Sequence, residues 1–170
     1  MRAVLFFLAI GTLWAQSKPV PRDRSDDSYA VYSALLKTPR LSHPNSNRKY
    51  LIEDITTEAN VIESTPRTCV HVPPAYAAQF EEVLGEYDQL KGERFRLERK
   101  FAVDRPYDLM TEAEAKEFML VRSGRQTPDP EKTRGATDLL SFGNVYFDNS
   151  RTIALVRTGD WCGGLCGEWM

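Results

Sequence analysis

This sequence predicts an α+β domain in which helices pack on a small antiparallel sheet that ends in a C-terminal hairpin. Three observations point there. Thr137 to Arg157 reads as a strand, a tight turn and a second strand. Tyr76, Phe80, Val83, Leu84, Tyr87 and Leu90 recur at the spacing of one helix face. Thr111-Glu112-Ala113-Glu114 places a capping hydroxyl three residues before a carboxylate, which is how a helix opens.

The elements follow in chain order. Met1 to Ala15 carries one early cation, Arg2, an apolar run from Ala3 to Ile10, and Leu13-Trp14-Ala15 before polar Gln16-Ser17-Lys18. The run is too short to span a bilayer and ends in a small residue, so 1–15 is expected to be a secretory signal peptide. Residues 16–27 are rich in Pro, Ser, Arg, Lys and Asp and read as a flexible lead, leaving 28–170 as a single domain. Tyr29, Val31, Tyr32, Leu35 and Leu36 then mark an amphipathic helix capped by Ser28 or Asp27 and stopped by Thr38-Pro39. Leu41 to Asn47 is a loop, Tyr50 to Ile55 a strand, and Thr65 to Val72 a further strand closed by Pro73-Pro74.

After the helix ending near Gly92, Phe95, Leu97 and Phe101 alternate with charged residues, as in an edge strand or an extended connector. The capping box opens a helix carrying Ala115, Phe118, Met119 and Val121, and Ser123 to Gly135 reads as a polar connector. In the closing hairpin, apolar residues on both alternations of Leu139 to Phe147 imply a strand covered on both faces. Asp148-Asn149-Ser150-Arg151 supplies turn chemistry.

The run Phe80, Tyr87, Leu97 to Phe101, Arg105-Pro106-Tyr107-Asp108-Leu109, Glu114 and Phe118, then Leu140-Ser141-Phe142-Gly143-Asn144-Val145-Tyr146-Phe147 and Ala154-Leu155-Val156, resembles a group of secreted bacterial proteins of unknown function. The resemblance implies a strand of the form S-x-V-x-F, a strand of the form A-L-V, a glycine-rich turn, and then a further strand and a tryptophan-bearing strand. It implies no activity. Gly143-Asn144 interrupts the first pattern as a β-bulge would. The strands after the glycine turn are expected to be missing, which leaves Ile153 to Arg157 as an apolar edge prone to self-association.

The net charge of -2, with both signs interspersed, offers no field to collect nucleic acid, and nothing after the leader is long enough for a membrane span. The three cysteines, Cys69, Cys162 and Cys166, would meet an oxidising compartment, periplasmic or extracellular. A local Cys162–Cys166 bridge is the expected pair; a bridge from Cys69 to either one is the alternative. If Thr65 to Val72 is a strand, Cys69 and His71 share a face, and with Cys162 and Cys166 they make a formal zinc or thiol set. The intervening Gly163-Gly164-Leu165 departs from both thioredoxin-like and papain-like cysteine patterns. His43, in Ser42-His43-Pro44, reads as solvated. Carboxylate pairs for acid–base work can be drawn from Glu53, Asp54, Asp104, Asp108, Glu112 and Glu114, but spacing selects no two of them.

The expected function is therefore non-enzymatic: an exported protein of the bacterial envelope or medium that binds a protein or small ligand and needs no cofactor. The alternatives are an enzyme using the C-terminal cysteines, with zinc as its cofactor if one is used, and a fragment of a longer secreted protein. Cleavage after Ala15 and one disulfide should appear together in the non-reduced intact mass, with one cysteine open to alkylation. Three alkylated cysteines would remove the staple.

Overall fold

The computed structural model describes residues 25–38, 41, 49–57, 65–125, 129–163 and 166–169, the last stretch and residues 162–163 as backbone only. The leader 1–15, most of the lead 16–27, and His43 lie outside the described residues. Helix α1 (Asp26–Leu36) begins two residues before the expected start, with Ser25 at its N-cap. Tyr29, Tyr32, Ser33 and Leu36 are buried, at offsets of three, one and three that line one helical stripe. Strand β1 (Tyr50–Glu53) follows, and the Tyr50 hydroxyl donates to Leu36 O at 3.0 Å, satisfying a carbonyl the helix end leaves open.

The strand expected over Thr65 to Val72 is instead a short exposed helix, α2 (Pro66–Cys69), with an extended tail. Pro66 is preorganised for a first helical turn. Thr65 and Thr68 lock that turn through Thr65 N–H to Thr68 Oγ1 at 3.1 Å and Thr68 Oγ1–H to Thr65 O at 2.9 Å. A 3₁₀ turn (Pro74–Tyr76) leads into α3 (Ala77–Leu90), which buries Val83, Leu84 and Tyr87. Tyr76, expected on that face, is 51% exposed.

Phe95 to Phe101 is a connector with one bridge, Arg96 opposite Ile55, rather than an edge strand. Phe95, Leu97 and Phe101 point inward, and α1 fastens the segment from outside. Glu98 N–H donates to the Tyr29 hydroxyl at 2.7 Å and Ala102 N–H to Ser33 Oγ at 2.8 Å. Strand β2 (Tyr107–Met110), unexpected from the sequence, precedes α4 (Glu112–Arg122), whose Thr111–Glu114 capping box forms as expected. A short helix, α5 (Pro130–Thr133), interrupts the predicted connector before β3 (Leu139–Phe147), β4 (Ala154–Gly163) and β5 (Cys166–Trp169).

The five strands lie in the order β2-β1-β3-β4-β5. β3 and β4 are antiparallel as expected and β5 continues that pattern, whereas β1 runs parallel to both β2 and β3, so the sheet is mixed. The long helix-bearing connections after β1 and β2 permit that arrangement. β5 corrects the expectation that nothing follows the glycine turn. It pairs with Gly159 to Gly163 and leaves the outer edge of Ala154 to Arg157 without a strand neighbour among the described residues. Among the described residues, no helix is long and apolar enough to cross a membrane.

Every residue of β3 is buried, which makes it the central strand covered on both faces. On one face Leu140, Phe142, Val145 and Phe147 join Tyr29, Tyr32, Leu36, Ile52 and Phe101. Phe142 lies 4.8 Å from the Tyr32 ring and 5.9 Å from Phe101. On the other face Leu139 packs with Leu51, Met110 and Phe118, and Tyr146 packs with Val83 and Tyr87.

The bulge anticipated at Gly143-Asn144 is present as a register shift between Phe142 and Val145. It reverses the alternation, so even-numbered residues face α1 before it and odd-numbered ones after it. Three distant groups tie it down. Thr57 N–H donates to Phe142 O at 2.8 Å, the Tyr32 hydroxyl donates to Gly143 O at 3.0 Å, and Asn144 Nδ2 donates to Glu93 O at 2.9 Å and Leu90 O at 3.4 Å. The turn after β3 closes around Asp148. Its carboxylate accepts from Thr152 N and Ile153 N at 2.7 Å each, and these bonds with the Ser150 hydroxyl hold it well below the usual aspartate range.

A side chain at Gly143 would bring its Cβ to 3.2 Å from Arg157 Cβ and 3.4 Å from Arg157 O on β4. Gly143→Val should therefore destabilise the fold by about 1–3 kcal/mol in urea denaturation, with Gly143→Ala losing less. Wild-type stability in both would show that the bulge places no demand on this position.

Candidate functional site

Pairing between β1 and β3 covers only Leu139 and Leu140, so the β1-facing edge of β3 beyond the bulge has no strand beside it among the described residues. Side chains from α3 take that role. The Glu86 carboxylate accepts from Phe147 N–H, and Glu82 accepts from Asn149 N–H at 3.0 Å. A cleft of about 530 Å³ lies along this edge, between the first turn of α1, the C-terminal half of α3 and the turn after β3. Leu90, Phe95, Val145 and Phe147 give it an apolar lining, and Asp26, Asp27, Glu86, Asn144 and Arg151 give it polar groups.

Asn144 is 6% exposed. Both bonds from its Nδ2 go to backbone carbonyls at the end of α3, which fixes the orientation of the amide, and its Oδ1 has no hydrogen-bond partner. Arg151 closes one side. Its Nε donates to Asp27 Oδ2 at 2.6 Å, its guanidinium donates to Ser25 Oγ at 2.8 Å, and its charged carbon sits 4.0 Å from the centre of the Phe147 ring. Asp26, across the helix start, lies 3.3 Å from Lys100. The three carboxylates against one lining guanidinium make the cleft acidic.

A second polar cluster lies where β1 and β2 end. Of the six carboxylates that spacing could not sort, Glu53, Asp54, Glu112 and Glu114 come close enough to act on one another. Burial, then the Glu112 charge, raise Glu53 above the usual glutamate range; burial, then the Glu112 and Glu114 charges, raise Asp54 against the pull of Arg96. Guanidinium groups brace the cluster: Arg96 to Asp54, Arg94 to Glu112 at 2.5 Å, and Arg134 to Glu114. Asp108 meets Lys49 at 2.9 Å and Arg99 at 3.3 Å and shares Arg134, at 3.6 Å, with Glu114; Asp104 is exposed. Three of the four carboxylates thus meet a guanidinium, an arrangement that suits bracing, while Glu53 is held beside them without an ion pair among the described residues.

The thiol and zinc candidates are spread apart along the fold. Cys69 is free and exposed at the end of α2, and His71 is exposed on the tail that follows, so the shared strand face expected for them does not exist. Cys162 lies in β4 and Cys166 in β5, where Cys166 is in register with Gly163. The side chains of these two cysteines lie outside the described residues. Among the described residues, no three His, Cys, Asp or Glu side chains form a metal-holding group.

Sequence reasoning did not find the cleft. Its lining comes from stretches near residues 26, 88, 95, 145 and 151, which share no spacing or motif. The one local signal was the break at Gly143-Asn144, which marks where β3 loses its neighbour.

Glu53 supplies a test of the second cluster. A carboxyl raised on folding costs nothing when protonated in both states and lowers stability once pH climbs through the ordinary glutamate range. Glu53→Gln should therefore melt higher than the wild type at pH 7, with the difference vanishing near pH 3; a lower melting point at pH 7 would show that the charge is stabilising. No protein-family model, curated protein or solved structure matches this chain.

Proposed function

We propose that this chain is an exported, non-enzymatic binding protein whose ligand enters the cleft between α1, α3 and the β1-facing edge of β3. One observation carries the reading: a concavity of about 530 Å³, a volume in the range of small-ligand sites, in which an apolar wall of Leu90, Phe95, Val145 and Phe147 faces a larger set of polar and charged groups. The cleft is also built from elements that hold their shape without a ligand. The bulge and the end of α3 are fixed by hydrogen bonds that span many residues, and the turn at Asp148 by bonds within the turn. Such preorganisation spares a ligand the cost of ordering its site. The signal peptide expected over 1–15 supports export, and the acidic lining favours a ligand that bears positive charge over one that bears negative charge.

The test is a thermal-shift screen of small amines, acids and short peptides against the wild type and two variants. Leu90→Trp fills the cleft from α3; Asp26→Trp obstructs its rim from an exposed position, where the fold should be indifferent to the change. A true ligand at about 100 times its Kd should stabilise the wild type by about 2.7 kcal/mol and leave both variants unmoved. A ligand that shifts all three equally binds elsewhere and overturns the proposal.

A further inference from the structure

We infer that the cleft contains a seat for a guanidinium group and that Arg151 occupies this seat in the unliganded protein. The inference rests on the binding reading above and adds the chemistry of the ligand. The seat has three parts around the Arg151 head group: the Asp27 carboxylate, the Ser25 hydroxyl and the face of Phe147. Carboxylate and hydroxyl accept in the plane of the fork while the ring stacks on its face, the combination that favours a guanidinium over a compact ammonium.

The backbone at Arg151 points the same way. Its φ is +57°, a left-handed conformation in which glycine or asparagine is the ordinary occupant. The turn therefore delivers a long cationic side chain from a position unfavourable to it. Arg151 is tied to α1 only through side chains, across 124 residues of sequence separation for its bond to Asp27, and its own side chain is 42% exposed. It can swing out without unmaking the ladder of β3 and β4, because the turn itself is held by Asp148.

Behind the seat lie Glu86 and Asn144, whose Oδ1 has no hydrogen-bond partner, and the apolar wall of Leu90 and Val145. A ligand that presents a guanidinium to Asp27, Ser25 and Phe147 and an apolar body to that wall matches the cleft along its length. The source is an arginine side chain, either free or within a peptide. By competing for the seat, Arg151 lowers apparent affinity by the fraction of time it is docked there.

The experiment titrates L-argininamide into the wild type, Arg151→Gly, Arg151→Gln and the double variant Arg151→Gly/Asp27→Asn, at low ionic strength, with circular dichroism confirming each fold. Both single variants should bind about tenfold more tightly than the wild type, as expected for a seat docked about nine-tenths of the time. The Asp27→Asn change should abolish the gain, and L-lysinamide should show a smaller one. An acetylated tripeptide with a central arginine identifies the source. Tighter binding than argininamide assigns the seat to a peptide partner, and equal binding assigns it to a free small molecule; both support the seat. Unchanged affinity in both single variants, or a gain that survives Asp27→Asn, overturns it. If screen hits bind in the cleft and argininamide does not displace them, the guanidinium assignment falls while the cleft keeps its role. If hits ignore Leu90→Trp, the cleft reading itself falls.

Discussion

The β-bulge at Gly143–Asn144 sets which face each residue of β3 presents, and the two faces of the sheet depend on that choice. Without the extra residue, Asn144 and Tyr146 would continue the row of Leu140 and Phe142 into the aromatic core beneath α1. With it, Val145 and Phe147 take those places and Tyr146 turns to Tyr87 on α3, ring centres 5.1 Å apart. Burial there pushes the Tyr146 hydroxyl up to about 12, so it stays a neutral group in an apolar contact. The polar groups freed by the break are taken up by Tyr32, Thr57 and the end of α3. A defect in one strand thus becomes the point where helix, strand and connector are joined, and the cleft opens beside it.

Burial of charge follows the same economy of placement. Arg94, just before the Phe95–Phe101 connector, and Arg96, Arg99 and Lys100 within it each meet a carboxylate from another part of the chain: Glu112, Asp54, Asp108 and Asp26. Exposed pairs of this kind contribute little singly. Here they share one segment, so the connector is pinned along its outer face while Phe95, Leu97 and Phe101 pin it from within. The sequence alternation, which fits an edge strand or an extended connector equally, is produced by this two-sided anchoring of a connector.

Elements with strong local chemistry were legible from the residues. The Thr111–Glu114 box, the period from Val83 to Leu90, the two-sided apolar run of β3 and the Asp148 turn all appear where expected, because each is decided within a few neighbouring residues. Those decided by partners were not. β2 is four residues long with Asp108 in its middle, and only its pairing with β1 makes it a strand. Thr65 to Val72 has the composition of a strand, but it pairs with no strand among the described residues, and Pro66 with its flanking threonines wins. The parallel setting of β1 has no signature in its own four residues. The cleft is the extreme case, since its chemistry exists only after residues more than one hundred positions apart have met.

The order of the strands carries a consequence for how the chain reaches this state. β3, near the end of the sequence, stands at the middle of the sheet, and β1 is flanked by β2 and β3 rather than by anything made earlier. The Tyr32 bond to Gly143 spans 111 residues. Early synthesis therefore yields helices and at most the β1–β2 pair, and the core closes only when Leu139 to Phe147 emerges. High contact order of this kind slows folding and postpones it until β3 has been made. Until β3 is made, the aromatic faces of α1 and the Phe95–Phe101 connector have no sheet centre to cover, so the segment that decides the fold is also the one that hides its apolar surface.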